Sequence, residues 1–375
     1  LRYPHGLRRA VSRRTGKEPF HPRRCPRVAT GARSTRSRET SMNDTTLTAK
    51  PRLKTSAMIA SIAGEGQVTR SAPFGHALAQ LAREKKNVIG MTADLGKYTD
   101  LHIFGKEFPD RYYQMGMAEQ LLMGAAAGMA HEGAQPFVTT YAVFATRRAY
   151  DFMHQAIAED NLDVKIICAL PGLTTGYGPS HQAAEDLALM RAMPNMTVID
   201  PCDALDTEQM VSAIAAHNGP VYARLLRGNV PAVLDEYDYQ FELGKAKLLR
   251  DGAEVLIISS GIMTMRSLEV AKLLEANNVG VGVLHVPTIK PLDTETILRE
   301  ARRTGRMVVV AENHSVIGGL GEAVATTLLT AGVTPMYRQI ALPDEFLGAG
   351  ALPTLHDRYG ISTNVMADTI KGWLR

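Results

Sequence analysis

The stretch "YYQMGMAEQLLMGAAAGMAHEG", residues 112–133, sets Glu119 at the head of a run of Gln, Leu, Met, Gly and Ala, with no further charge before His131. These are good helix formers, apart from the two glycines. Gly124 and Gly128 are four residues apart, so they share a helix face and let another backbone approach closely. A helix of this composition reads as buried, and a buried carboxylate is costly unless something hydrogen-bonds it. The plainer reading is that Glu119 only starts the helix, where an acid suits the dipole. The segment by itself leaves both open.

Outward from it, short apolar runs alternate with helical stretches from about Val68 onward. Strand candidates are "NVIGM" (87–91), "PFVTT" (136–140), "VKIICAL" (164–170), "MTVID" (196–200) and "VYARL" (221–225), with helices at 74–84, 119–131, 144–159, 183–192 and 205–216. Near-continuous apolar strands separated by helices indicate a parallel sheet covered on both faces. "RGNVPAVLDEYDYQFELGKAKLL" (227–249) breaks the pattern with Pro, acids and Tyr, and reads as a linker. A second series follows: strands "EVLIIS" (254–259), "VGVLHV" (281–286) and "RMVVVAE" (306–312), with helices near 264–277, 293–303, 319–331 and 365–374. The expected fold class is α/β, with two doubly wound, mainly parallel-sheet domains at 66–232 and 251–375. A linker at 233–250 joins them, and a disordered basic arm and lead-in at 1–65 precede them.

The chain has 375 residues, room for about two domains. Its formal charge of +4 is misleading. Residues 1–40 hold twelve Lys+Arg against Glu18 and Glu39; the rest keeps 30 of the 42 bases and 36 of the 38 acids, a net of −6. The globular part therefore gives no support to nucleic-acid binding. The Arg-rich start suits a nucleic-acid arm or a transit peptide. It lacks apolar periodicity, however, and "MNDTTLTAK" from Met42 looks like an ordinary protein start, so the favoured reading is a disordered upstream extension. No apolar stretch reaches the ~18 residues that span a bilayer. Cys25, Cys168 and Cys202 lack metal-ligand spacing, which suggests a reduced, cytoplasmic protein.

Common nucleotide and hydrolase signatures are missing. "GGLGEA" (318–323) follows a strand but is not G-x-G-x-x-G, and neither a Walker lysine pattern nor a G-x-S-x-G elbow occurs. "GLTTGYGPSHQAAEDLAL" (172–189) instead places His181 on a loop between a strand end and a helix. Ligands in open α/β sheets bind at carboxyl strand ends. A histidine there suits acid–base work, although a plain surface contact would look the same. In "TTYAVFATRRAYDFMHQAIAEDN" (139–161), Tyr141, Phe144 and Tyr150 sit at near-helical spacing beside Arg147 and Arg148. They read as one packed helix face, or as an aromatic wall for a planar ligand with an Arg for a phosphate.

These motifs, in this order, resemble the transketolase family. "GMAEQ", "GAAAGMAHEGAQPFVTTYAVF", "RAYD", "GYGPSHQAAEDLALMRAMPNMTVIDPCD" and "RLLRGNVP" are similar to its pyrimidine-binding domain. "SSGIMTMRSLEVAKLLEANNVGVGVLHVPTIKPLD" and "AENHSVIGGLGEA" resemble its C-terminal domain, shared with 2-oxoacid dehydrogenase β subunits. Deoxyxylulose-phosphate synthase is also similar. The resemblance covers about 66–375 and implies thiamine diphosphate as cofactor. It gives Glu119 a role: the family's acid here hydrogen-bonds N1′ of the aminopyrimidine. An acid desolvated in an apolar helix keeps a proton to give, which favours the imino form that takes the proton from thiazolium C2. The resemblance further implies Tyr141 and Phe144 stacking on the pyrimidine and Asp94 near the thiazolium. It has His181 shuttling protons at the substrate oxygen, and Arg70, Arg148 and Arg227 holding a sugar phosphate.

Two departures accompany the resemblance. Transketolases carry Asp where this chain has Tyr177, and a His-Asp-Ser run where it has Ala169, Leu170 and Pro171. The Asp recognises a donor hydroxyl and the His helps to hold phosphate, so ordinary pentose phosphates are in doubt. No Gly-Asp-Gly occurs anywhere in the chain, so the family's Mg²⁺–diphosphate motif is missing and no metal ligands are expected here. The implied protein is the C-terminal subunit of a split transketolase in an α2β2 assembly. An N-terminal partner would hold Mg²⁺ and the diphosphate. A 2-oxoacid dehydrogenase β-like subunit, a deoxyxylulose-phosphate synthase-like enzyme and a non-catalytic homologue are the alternatives. Arg70 and Arg227 argue against the first, and Glu119 argues against the last.

Overall fold

A computed structural model describes residues 66–303 and 305–375. In chain order its strands are β1 (Thr69–Ser71), β2 (Val88–Thr92), β3 (Tyr112–Gln114), β4 (Gln135–Tyr141), β5 (Lys165–Ala169), β6 (Thr197–Ile199) and β7 (Val221–Leu225). Then come β8 (Asn229–Pro231), β9 (Lys247–Arg250), β10 (Val255–Ser259), β11 (Val281–His285), β12 (Thr288–Lys290), β13 (Met307–Ser315) and β14 (Tyr337–Leu342). A seven-stranded sheet runs β12-β6-β7-β5-β4-β2-β3, and a five-stranded sheet runs β14-β13-β10-β11-β9. Both are parallel except at one edge, where β12 and β9 lie antiparallel to their neighbours. The inner strands β2, β4, β5, β7, β10 and β11 are buried along their whole length. That explains their unbroken apolar runs.

Three expectations need correction. The end of the linker is β9, an edge strand of the second sheet, and β12 crosses back from the second half to close the first sheet against β6. Both are short edge pieces with no apolar run to mark them. The helix expected at 144–159 is broken into Ala142–Arg148, a turn at Tyr150–Phe152 and a π-helical turn at Met153–Ala158. The helix Glu119–His131 buries only one side. Met117 and Leu121 are exposed, and a Cβ added at Gly124 or Gly128 would meet nothing. Leu121, Gly124 and Gly128 form one open stripe of the helix, and Met117 lies just ahead of its start. The expected basic arm and lead-in, 1–65, lie outside the described residues.

Between the sheets runs a buried polar seam. Arg224 on β7 donates from Nε to Asp186 at 2.9 Å and from Nη1 to the Asn313 carbonyl at 3.2 Å, and pairs with Asp200. Tyr222 donates to Asp186 at 2.6 Å, and Ser260 donates to Asp200 at 2.8 Å. Burial pushes the Asp186 carboxyl up, but Arg224 and Tyr222 outweigh it and hold the group below its usual range. At Gly172, φ is +55°, and a Cβ would lie 2.1 Å from the Asn313 carbonyl oxygen. Only glycine allows that approach of the two domains.

Candidate active site

The carboxyl ends of β2, β4, β5 and β7 converge on one cluster, where an open α/β sheet places its ligands. Glu119 opens its helix just beyond β3 and is 2% exposed. Its carboxylate is not isolated: Arg148 Nη1 donates to Oε1 at 3.1 Å and to Oε2 at 3.3 Å. Arg148 ends the helix that follows β4, and its guanidinium lies 4.1 Å over the Phe144 ring. The buried acid therefore has a cationic partner that hydrogen-bonds it.

Tyr141 and Phe144 lie 5.8 Å apart and tilted by 33°. His181 presents its ring to both, at 6.3 Å from Tyr141 and 5.4 Å from Phe144, each edge-on. Tyr177 closes on the same imidazole at 5.4 Å. Burial and the Arg148 charge push the His181 pKa down from its ordinary value, favouring neutral imidazole. Ser180 Oγ lies 2.9 Å from His181 Nδ1. Arg147 fixes the loop from outside, donating to the carbonyls of Pro179 at 3.0 Å and Gln182 at 3.1 Å and pairing with Glu185.

Arg227 follows β7, 5.8 Å from the Tyr98 ring centroid. Its Nε and Nη2 are buried without a hydrogen-bond partner. Asp100 accepts from the Gly228 N–H at 2.9 Å, which anchors the turn that carries Arg227. Burial pushes the Tyr141 hydroxyl up; Arg227 pulls it back, while Tyr98, Tyr177 and Asp94 add to the rise. That ties Asp94, Tyr98 and Tyr177 electrostatically to the same hydroxyl.

Among the expected site residues, Glu119, Tyr141, Phe144, Arg148 and His181 are joined by direct contacts, and Asp94 and Arg227 act on Tyr141. Arg70 is turned away. Its guanidinium is taken by Glu208 and by Asp235, the latter at 2.7 Å. No contact links it to the cluster among the described residues, because two carboxylates outside the site capture its side chain. Tyr150 also turns inward, toward the Leu189 carbonyl at 3.4 Å. Sequence reasoning missed Tyr98, Asp100 and the loop-holding role of Arg147. "DLGKYTD" gave no spacing that would bring Tyr98 to Arg227, more than a hundred residues away. Among the described residues, no three His, Cys, Asp or Glu side chains converge as a metal site.

A buried acid, an aromatic pair and a loop histidine gather at the strand ends of a doubly wound domain, where such a sheet places its ligands. Residues 67–233 match the family model of the transketolase pyrimidine-binding domain, and 244–366 match the transketolase C-terminal domain. The chain belongs to the transketolase family. It is 71% identical to a putative uncharacterized transketolase family protein of Sinorhizobium fredii, over 87% of this chain and 94% of the relative. It is 39% identical to a 6-deoxy-6-sulfo-D-fructose transketolase subunit of a Clostridium species, over 76% of this chain and 88% of that one. Among solved structures, a split-gene transketolase, described as an inactive β4 tetramer, superposes with a TM-score of 0.73 at 41% identity, covering 80% of this chain and 96% of that one.

Proposed function

We propose that this chain is the C-terminal catalytic subunit of a split, thiamine-diphosphate-dependent transketolase that moves a two-carbon ketol unit between sugar phosphates. The observation that carries the reading is the buried Glu119 carboxylate, set beside the Tyr141–Phe144 pair and within reach of His181 through the same aromatic wall. Thiamine diphosphate fits this chain at one end only. Glu119 would hold its aminopyrimidine, Tyr141 and Phe144 would stack on it, and Asp94 would lie near the thiazolium. The Mg²⁺–diphosphate end has no counterpart among the described residues, which supports an N-terminal partner in an α2β2 assembly. Exposed Met117, just ahead of the Glu119 helix, and the open stripe of Leu121, Gly124 and Gly128 on it support a subunit contact there. The inactivity named for the β4 relative supports the same division.

When bound, the cofactor supplies a nucleophilic carbon and an electron sink that this chain lacks. Glu119 would hold or give the proton at the pyrimidine nitrogen. Neutral His181 would exchange protons with the substrate oxygen. Arg227, with two donors unpaired, would take the anionic end of the substrate. Glu119 is already paired with Arg148, so cofactor entry must redirect that guanidinium, which frees it for a substrate phosphate. Calorimetric titration with thiamine diphosphate and Mg²⁺ tests the reading. The lone chain should bind weakly, and the chain with its N-terminal partner tightly. Tight binding by the lone chain overturns the split-subunit reading.

A further inference from the structure

We propose that the cavity between the helices Ile262–Glu275 and Thr363–Trp373 binds a small oxyanion of the phosphate or sulfate type, held by Arg266 and by the amino end of the second helix. The cavity measures about 180 Å³. Pockets for larger organic ligands run to roughly 300–1,000 Å³, so this one is sized for an ion or a single phosphoryl group. Gln67 and Val233 close it on one side, Ile262, Met265 and Arg266 line it from the first helix, and Thr363 lines it from the second. None of these residues belongs to the Glu119 cluster, so the proposal does not rest on the transketolase reading.

Arg266 carries a charge that no carboxylate hydrogen-bonds among the described residues. Its Nη1 donates to the Ile361 carbonyl at 2.7 Å and lies 3.7 Å from Met263 Sδ, and its Nη2 donates to His356 Nδ1 at 2.8 Å. All three acceptors are neutral. A guanidinium can only donate, so His356 Nδ1 accepts, and the His356 Nε2–H donates to the Leu173 carbonyl at 2.8 Å. Burial and the Arg266 charge push the His356 pKa down to about 4, so the imidazole adds no charge of its own. Desolvation pushes Arg266 itself down to about 10, and the Asp357 charge pulls back. These bonds leave Nε to the cavity that Arg266 lines.

The helix Thr363–Trp373 supplies the other half. It has no acid in its first turn, and its N-cap residue Ser362 makes no capping bond. Ser362 Oγ is buried with no hydrogen-bond partner. A helix start with open N–H groups favours an anion, and a guanidinium on the same cavity doubles the attraction with charge-assisted bonds. Glu269 is the acid on the lining and opposes an anion, but its carboxylate pairs with Lys272 at 3.0 Å. Arg266 stands two hydrogen bonds from Leu173, through His356, so the cavity is linked to the loop that carries His181.

The test is titration calorimetry of the full chain with inorganic phosphate, at constant ionic strength with chloride as the control. Arg227→Ala serves as the background, so that the open donors at the candidate active site do not contribute. That background should bind phosphate saturably, one ion per chain. Adding Arg266→Gln should weaken binding by about 10-fold or more, the worth of one charge-assisted hydrogen bond. Thr363→Asp keeps the proposal testable if Arg266→Gln fails to fold. It sets a carboxylate on the cavity lining in the first turn of the helix, where the dipole favours it, and should also weaken phosphate by about 10-fold or more. Absence of saturable binding in the background, or binding that Thr363→Asp leaves unchanged, overturns the proposal. Glycerol phosphate tells the sources apart: binding at least as tight as that of inorganic phosphate assigns the site to the phosphoryl end of a metabolite, weaker binding assigns it to the free ion, and either supports the site.

Discussion

Arg224 and Arg227 stand three residues apart at the end of β7, yet the fold treats them in opposite ways. Arg224 is wholly buried and its guanidinium is saturated by Asp186, Asp200 and the Asn313 carbonyl. Arg227 leaves two buried donors without a partner. A buried charge with all its bonds made is structure, and removing one partner strands the other at high cost. Buried donors left open at strand ends are the exception that calls for a ligand. Charge density by itself does not mark a site here; Arg227 is set apart by two open donors at a strand end.

The largest effect should come from the saturated side. Asp186→Ala leaves Arg224 half-paired, and unfolding in urea should show a loss of about 3–5 kcal/mol. A loss under about 1 kcal/mol would mean that the seam is not holding the domains.

Glu119→Gln comes next. It keeps the shape of the side chain and should leave assembly with the partner intact. It cannot supply the carboxyl proton, so exchange at the cofactor C2 in the complex should slow by about 10²-fold or more. Wild-type exchange in this variant would return Glu119 to a helix-start residue.

A third effect tests the seam through pH. Glu312 on β13 is buried, and burial pushes its carboxyl up to about 7, against the pull of the Gly321 and Leu320 N–H groups and of the Arg224 and Arg191 charges of the first domain. A folded-state value above the ordinary one means that the folded chain holds the proton more tightly. That contribution to stability is full below the ordinary carboxyl range and is lost as pH rises through about 7. Between pH 5 and 8 the wild type should lose about 2–3 kcal/mol more than Glu312→Gln, which has no proton to give up. Parallel pH–stability curves for the two would refute this.

The smallest effect sharpens the contrast between Arg227 and the arginine that sequence grouped with it. Arg227→Ala should raise the substrate KM by about 10-fold, the worth of one charge-assisted hydrogen bond. Arg70→Ala should leave KM alone and cost less than about 1 kcal/mol of stability, as a half-exposed ion pair does. Equal KM effects from both would erase the distinction.

What sequence made legible follows from the same physics. The central strands announced themselves as apolar runs because both faces are covered. β14, "YRQIAL", buries only alternate residues toward its end; the edge strand β9 has no fully buried residue, and β12, though mostly buried, is only three residues long, too short to show. Periodicity put Gly124 and Gly128 on one face of a helix but not which face solvent would see. At the site, Glu119, Tyr141, Phe144, Arg148 and His181 were legible because each lies in a local motif. The Arg148–Glu119 bond, the Tyr98–Arg227 contact and the diversion of Arg70 depend on side-chain direction across long separations, which no local pattern encodes.

The loop that carries His181 is laced to the second domain along its length. Asn313 Oδ1 accepts from the Leu173 N–H at 2.9 Å, His356 lies 2.8 Å from the Leu173 carbonyl, the Ser315 N–H donates to Ala184 at 2.7 Å, and His314 Nε2 accepts from the Ala188 N–H at 3.3 Å. For protein engineering this makes the two domains one unit of inheritance. A chimera joined at residues 233–246 would swap in a second domain whose stitches miss the loop, whereas a junction ahead of β1 leaves every stitch in place. Recombination can part this chain from its neighbours far more easily than from itself.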